Sequence, residues 1–361
     1  MLETEQNQIA AKEPPVFHCP HDTNLPQPPS LSKDDSPWCN RYKRAMHVLR
    51  KPPKRFIIVH QGALGDFLMT WPSLAGLRNA FPNLPMLWAG KSSRLPLLHP
   101  LEIDMAPAQI HNALRSLYRE DTSSSLPPDD YLLWFCLRNK PFQGKHENIL
   151  FLYGLVPQDM RSPRILYQEQ MVHHHLPDAG NWQQTFQAAF PRRTTSPAIL
   201  LFPGSGNPAK NWPLVQFFEL STWLTSRGWH PVMVLGPVEQ EQDIQPPAPL
   251  DTIRPPSIEA LIDLLQQAAY VIGNDCGPMH LAGYMGIPGI SLFGPTSSKQ
   301  WGPLGMDILS SDLPCSPCTQ TASIACTQPV CIQNIPLTKV IAKLETRLTQ
   351  LSVRPNNKTG S

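Results

Sequence analysis

One pattern constrains this chain more than any other. A short β-branched run stops at a glycine-bearing turn and passes at once into helical spacing. It is clearest at Tyr270-Val271-Ile272, followed by Gly273-Asn274-Asp275-Cys276-Gly277-Pro278 and then Met279, Leu281, Ala282 and Met285. The next strand follows at residues 290–293. The pattern recurs at residues 55–59, with a turn at 60–66 and the helical set Phe67, Leu68, Trp71, Leu74, Leu77 and Phe81. A third copy runs from residues 198–202 through a Gly-rich loop at 203–213 to Phe217, Leu220 and Leu224. Strand, turn, helix and strand in succession predict an open α/β sheet. Turns of this kind leave backbone N–H groups free at a helix N-terminus, with the positive end of its dipole behind them, and phosphates bind there.

The remaining segments extend the pattern into two units. Residues 85–89, 131–135 and 231–235 read as further strands, 147–155 as a helix, and Ser257 as the cap of a helix carrying Ile258, Leu261, Ile262 and Leu265. The composition shifts near Thr194-Thr195-Ser196-Pro197. The expected division is a Pro-rich, disordered extension at 1–53, a first α/β domain at 54–195, a second at 196–335, and a C-terminal helix and polar tail at 336–361. Ligands of open α/β sheets sit at the carboxyl ends of the strands. The loops at 60–66, 203–212, 236–239 and 273–280 all fall there, so two sheets facing across a cleft would bring them to one site.

Several classes are disfavoured. Neither Gly-x-Gly-x-x-Gly after a strand nor Gly-x-x-x-x-Gly-Lys-Ser/Thr occurs, which weighs against a nicotinamide enzyme and an NTPase. A formal net charge of +2 gives no argument for nucleic acid as a partner. No apolar run approaches a membrane span, and the acidic start lacks the apolar core of a secretory signal, so a cytoplasmic protein is expected. Basic residues at the start of the first unit (Arg41, Lys43, Arg44, Arg50, Lys51, Lys54, Arg55) either touch anionic headgroups at the inner membrane or form a solvated segment.

Taken together, Gly62-Ala-Leu-Gly-Asp66, Pro203-Gly-Ser-Gly206 with Lys210 and Trp212-Pro213, Gly273-Asn-Asp-Cys-Gly-Pro-Met-His-Leu-Ala282 and Phe293-Gly-Pro-Thr296 resemble glycosyltransferase family 9, the ADP-heptose:lipopolysaccharide heptosyltransferases. The resemblance covers about residues 55–350. It implies a GT-B architecture of two Rossmann-like α/β/α domains facing across a cleft. It also implies inverting transfer, without cofactor or essential metal, from an ADP-sugar donor to a lipopolysaccharide inner-core acceptor. Such a reaction needs a base for the acceptor hydroxyl and stabilisation of the departing diphosphate. Asp66, where the family's base falls, is the candidate base, with an N-cap as the alternative; Gly62 and Gly65 shape its turn on the acceptor side. Lys210 offers a compact cation to the leaving phosphate. Gly204, Ser205 and Gly206 would admit the ligand to backbone N–H groups, and Glu239 would accept from ribose hydroxyls. Asp275, Cys276, Gly277, Pro278, Met279, His280 and Thr296 would surround the donor, with Asp275 assigned to sugar hydroxyls or to holding the turn because a diphosphate repels it.

The chain also departs from the family pattern. Asn211 stands where a second cation often follows the lysine, Cys276 replaces Ser or Thr, and His60-Gln61 replaces a frequent basic residue. The usual Asp-x-Gln-Gly element is missing from residues 132–138, which leaves the acceptor less defined than the donor. A catalytically inactive nucleotide-sugar-binding protein, or a member using another donor sugar, is therefore the alternative function. Cys315, Cys318, Cys326 and Cys331 form a C-x2-C-x7-C-x4-C pattern, which suits either a structural metal or disulfide, or reduced thiols.

Overall fold

The computed structural model describes residues 53–118, 129–137, 148–156, 159–193, 196–241, 244, 246, 249–318, 324, 326 and 329–352. The expectations for residues 1–52, including the basic residues up to Lys51, and for the tail beyond Ser352 fall outside them.

The first sheet contains β1 (Arg55–His60), β2 (Met86–Gly90), β3 (Ile103–Met105), β4 (Asp130–Cys136) and β5 (Ile149–Tyr153), in the order β3-β2-β1-β4-β5. The second contains β6 (Ala198–Phe202), β7 (His230–Val234), β8 (Asp251–Ile253), β9 (Tyr270–Asn274), β10 (Gly289–Phe293) and β11 (Asp307–Ser310), in the order β11-β10-β9-β6-β7-β8. Every ladder is parallel. Parallel strands need apolar cover on both faces, and β1 shows how the sequence supplies it. Phe56 and Ile58 enter the core shared with α1 (Leu64–Ala80), while Ile57 and Val59 meet Ile110, Leu114 and Leu117 of α2 (Ala108–Tyr118) on the other face.

One expectation changes in the first unit. Residues 149–153 form a strand, not part of a helix. Leu150 and Leu152 point into the core while Ile149, Phe151 and Tyr153 alternate outward, and Phe151 stacks on Trp134 of β4 at 5.6 Å. Period-two packing against β4 overrides the helical spacing that Ile149, Leu152 and Leu155 also permit. The helix α3 (Pro163–His173) comes next and is followed by α4 (Trp182–Ala189).

The second unit adds α5 (Leu214–Ser226), α6 (Pro237–Glu241), α7 (Ile258–Gln267), α8 (Gly277–Tyr284) and α9 (Leu337–Ser352). Ser257 caps α7 as expected, its side chain accepting from the Ala260 N–H. The core of the first unit does not stop at the first sheet. Leu200 and Phe202 of β6 and Met279, Leu281, Ala282 and Tyr284 of α8 belong to the cluster that holds Phe67, Leu68 and Trp71 of α1. One hydrogen bond across this junction follows from a proline. Pro72, inside α1, has no N–H to offer the carbonyl four residues back, which leaves Leu68 O without its helical donor. Tyr284 Oη donates to that oxygen at 2.9 Å, and the tyrosine ring packs on Trp182 and Phe186 of α4 at 4.6 and 5.4 Å.

Candidate active site

The strand-end loops of the two sheets meet where α1 and α8 begin. A Cβ at Gly277 would lie 2.9 Å from Leu64 Cβ and 3.1 Å from Gly65 N, so the N-terminal turns of the two helices are in contact. Two sets of unpaired helix N–H groups, each with a dipole behind it, therefore open onto one place.

Asp66 lies neither at the tip of the turn nor at the cap. It is the third residue of α1, and its Oδ2 reaches back to accept from the Ala63 N–H at 3.2 Å. Gly62 makes room for this fold-back, because a Cβ there would meet Asp66 Cβ at 2.9 Å and His60 Cε1 at 2.8 Å. Burial raises the pKa of Asp66; the Ala63 hydrogen bond and the charges of Lys210 and Arg94 oppose the rise, and Asp275 adds to it. A half-buried carboxylate of raised basicity beside two helix N-termini is well suited to accept a proton.

Opposite stands Lys210, at the end of a single 3-10 turn, Pro208–Lys210. Its Nζ donates to Asp275 O and to Asp275 Oδ2, both at 3.1 Å. Thr296 Oγ1 donates to the same Oδ2 at 2.9 Å. Asp275 thus holds the lysine and turns the Thr296 hydroxyl inward. This agrees with a turn-holding role for Asp275 and corrects the role of Thr296, whose hydroxyl hydrogen is committed to a carboxylate. An ammonium has three donors, and Lys210 keeps one for a ligand. The loop that carries it is fastened by Asn274, a fully buried residue the sequence reading passed over. Asn274 Oδ1 accepts from the Trp212 N–H at 2.9 Å, and its Nδ2 donates to Pro203 O at 2.6 Å.

Not every expected donor contact is available. Met279 is wholly buried, its sulfur against Gly273, and serves the core. The Ser205 hydroxyl is buried inside its own loop, 2.8 Å from Asn207 O and 2.7 Å from Asn211 Oδ1. Gly206 is open, with nothing within 4 Å of a Cβ built on it, so no neighbour demands a glycine there. Gly204 is different, because a Cβ would fall 1.7 Å from Glu239 Oε1. Glu239 sits on α6, buried, with Oε2 accepting from the Gly236 N–H at 2.7 Å. Its other oxygen lies against Gly204 and can still accept.

His280 is buried between the helix starts, with Nε2 4.0 Å from Asp275 Oδ1 and its ring 3.3 Å from a Cβ placed on Gly65. Burial lowers its pKa to about 4, so at neutral pH it is an uncharged imidazole that can donate one N–H. Cys276, at the N-cap of α8, is pushed up to about 12 by burial and remains a thiol. Pro278 occupies the first turn of α8, where its missing N–H costs nothing.

The four cysteines of the pattern differ in exposure. Cys315, Cys318 and Cys326 are exposed and Cys331 is buried, and no group of three His, Cys, Asp or Glu suited to a metal occurs among the described residues. Cys318 N donates to Pro295 O at 3.1 Å and Ser316 Oγ to Gly294 O at 2.7 Å, so this loop braces the turn carrying Thr296. On the first unit, Lys54 and Arg55 are paired with Asp129 and Asp130. No helix among the described residues is long and apolar enough to cross a membrane. Arg94, beside Asp66, carried no sequence signal beyond its place just past a strand end.

The family model for glycosyltransferase family 9 (heptosyltransferase) matches residues 156–327. Over 351 residues the chain is 23% identical to lipopolysaccharide heptosyltransferase 1 of Pseudomonas aeruginosa, covering 81% of this chain and 98% of that protein. Among solved structures it resembles a family 9 glycosyltransferase of Veillonella parvula with a TM-score of 0.60 at 19% identity, covering 82% of this chain and 98% of that one. It likewise resembles the E. coli ADP-heptose lipopolysaccharide heptosyltransferase II with a TM-score of 0.57 at 16% identity, covering 83% of this chain and 100% of that one. At these identities the structural likenesses bear on the fold, which is the GT-B arrangement of two parallel-sheet units.

Proposed function

We propose that the chain is a member of glycosyltransferase family 9 and that it moves heptose, with inversion, from ADP-L-glycero-D-manno-heptose to an inner-core lipopolysaccharide acceptor. The observation that carries this reading is the opposition of Asp66 on α1 to the Lys210–Asp275–Thr296 cluster, across two helix N-termini in contact. Asp66 takes the proton of the acceptor hydroxyl as its oxygen attacks the anomeric carbon. The bond from that carbon to the diphosphate oxygen breaks on the opposite face, and ADP leaves. The remaining donor of Lys210, the Gly277 N–H and the ring N–H of His280 receive the charge that develops on the diphosphate. Glu239, beside Gly204, accepts from the ribose hydroxyls. Because Lys210 and helix N–H groups supply this stabilisation, the reaction needs no divalent ion, and turnover is expected to survive a chelator. The acceptor places the enzyme at the cytoplasmic face of the inner membrane.

The test is transfer from a panel of ADP-, UDP- and GDP-sugars to truncated lipopolysaccharide core precursors, with the anomeric configuration of the product read by NMR. Transfer from ADP-heptose alone, with inversion, is the expected result. Stabilisation by UDP- or GDP-sugars and not by ADP would overturn the donor. ADP binding without transfer to any core acceptor would favour an inactive nucleotide-sugar-binding protein.

A further inference from the structure

Among the described residues, partly buried guanidinium groups such as those of Arg78 and Arg55 are well supplied with acceptors, whereas the buried one is not. Arg78 donates to the carbonyls of Leu101, Phe81, Pro82, Leu84 and Glu102 at 2.7–3.2 Å. Arg55 makes a two-pronged pair with Asp130 at 2.7 and 2.9 Å. Arg94 is the buried one. It is only 9% exposed, yet its one hydrogen bond is from Nη1 to Ser93 Oγ at 3.3 Å, and its Nε meets no acceptor among the described residues.

Its position is set by the sheet. Gly90, the last residue of β2, is in register with His60, the last of β1. The turn that follows, Lys91 and then Ser92–Arg94, therefore rises beside the loop of Gly62 and Asp66. The seat is firm. Trp88 Nε1 donates to Lys91 O at 3.0 Å, the Trp88 ring stacks on His60 at 6.4 Å, and Gln61 Nε2 donates to Ala89 O at 3.3 Å. Of the groups that Arg94 faces, the Asp66 carboxylate offsets its charge from a distance, but none supplies an acceptor to its Nε. His60 is buried and uncharged, its pKa lowered to about 4 first by burial and then by Arg94 and Lys91. The Asp66 carboxylate is turned to the Ala63 N–H and makes no ion pair with Arg94 among the described residues. A desolvated guanidinium without a partner is costly and is retained where a ligand completes it.

We propose that Arg94 anchors an anionic group of the acceptor, a carboxylate or phosphate on the sugar that carries the reactive hydroxyl, and so selects acidic acceptors. This rests on the reading of the Asp66 loop as the acceptor side. The planar fork of a guanidinium matches two oxygens of either oxyanion. Lys91, exposed at the start of the turn, adds longer-range attraction. A neutral sugar in the same place leaves the guanidinium buried and unpaired, which makes charge a criterion of acceptor choice.

The test compares wild type, Arg94→Ala and Arg94→Lys on a lipopolysaccharide core precursor in intact, carboxyl-reduced and phosphatase-treated forms. Wild type is expected to prefer the intact form over one of the neutralised forms, and which one identifies the oxyanion. Arg94→Ala is expected to raise the acceptor KM for the intact form by about 10-fold or more and to erase that preference. Its affinity for ADP should not change, and Arg94→Lys should recover part of the loss. An equal penalty on all three acceptors, no penalty, or weakened ADP binding overturns the anchor. Absence of transfer by wild type to any acceptor defeats the proposed reaction instead. The anchor is then read by calorimetric titration of inorganic phosphate and acetate with ADP present. Binding that is lost in Arg94→Ala sustains it, and binding equal in both proteins, or absent from wild type, overturns it. The melting temperature of Arg94→Ala, expected not to fall because the change removes an unpaired buried charge, guards against misfolding.

Discussion

At the scale of single residues, the site separates a carboxylate that reacts from one that holds. Asp66 has a raised pKa and only a backbone amide for a partner, whereas Asp275 is tied to Lys210 and Thr296. Asp66→Asn keeps the acceptor atom for the Ala63 N–H and removes the base. Turnover should fall by about 10²- to 10⁴-fold, with ADP affinity and melting temperature nearly unchanged. Turnover near wild type would mark Asp66 as a helix-start holder and not the base. Because its folded pKa is raised, the acid limb of kcat/KM should lie above the ordinary carboxylate range, and stability from the protonated form should vanish as pH rises through that value. The second carboxylate calls for a paired test. Lys210→Ala strips the buried Asp275 of its cation and should destabilise the fold by roughly 3 kcal/mol as well as abolish turnover. Adding Asp275→Asn should restore much of the stability and none of the activity. If Lys210→Ala left the melting temperature untouched, the pair would be incidental. The candidate residues on the motif glycines and on Lys210 were legible because a turn leaves a fixed spacing in sequence. Arg94 and the Asp275–Lys210 contact were not, since both depend on which strand end lies beside which, a matter of register between segments 30 and 65 residues apart.

At the scale of elements, the same distinction explains what the sequence did and did not reveal. Strands buried on both faces, such as residues 55–60, 198–202 and 270–274, announce themselves as unbroken apolar runs bounded by glycine. Strand β5 did not, because its leucines satisfy helical and strand spacing alike and only the presence of β4 beside it decides between them. The edge strand β8 has just three residues, too few for any period. Helices α3 and α4 pack their apolar residues against α1 and α8, a surface that exists only once both units are formed. The contact of α1 with α8 is the element-level device on which the site depends. Gly277→Ala would drive a methyl group into Leu64 and the Gly65 amide, prising the two helix N-termini apart. The expected result is weaker ADP binding and lower turnover, with a modest loss of melting temperature. Gly206→Ala, placed where a Cβ meets no protein atom within 4 Å, is the control for stability and should leave the melting temperature near wild type. ADP binding and turnover near wild type in Gly277→Ala would mean that the helix contact does not shape the site.

At the scale of the whole molecule, the two sheets share a core, and this sets how the chain unfolds. Tyr284 Oη satisfies the carbonyl that Pro72 orphans on the opposite unit, and the cluster around it includes residues of both. Unfolding is therefore expected as one transition, coincident by tryptophan fluorescence and circular dichroism. Tyr284→Phe, which leaves Leu68 O buried without a donor, should cost about 1–3 kcal/mol, some 2–10 °C in melting temperature. Two separate transitions in wild type would show that the units melt independently. The shared core also carries a pH dependence. His60 and His280 sit on opposite units, both buried, both with pKa values lowered to about 4, and burial is the first cause in each. A histidine depressed in the fold contributes stability that is fully present above its unfolded value near 6.5 and is lost as pH falls below it. Each contributes up to about 3 kcal/mol, so the urea midpoint should drop steeply between pH 6.5 and pH 4. Asp66, raised where these are lowered, works in the opposite direction and softens the fall. Replacing His60 and His280 by Gln, one at a time and together, should flatten the profile in steps. A profile unchanged by the double replacement would place the acid sensitivity elsewhere, in the carboxylates of pairs such as Asp307 with Arg347, whose pKa is held low by that arginine and whose stabilisation is lost only as pH falls below the ordinary carboxylate range.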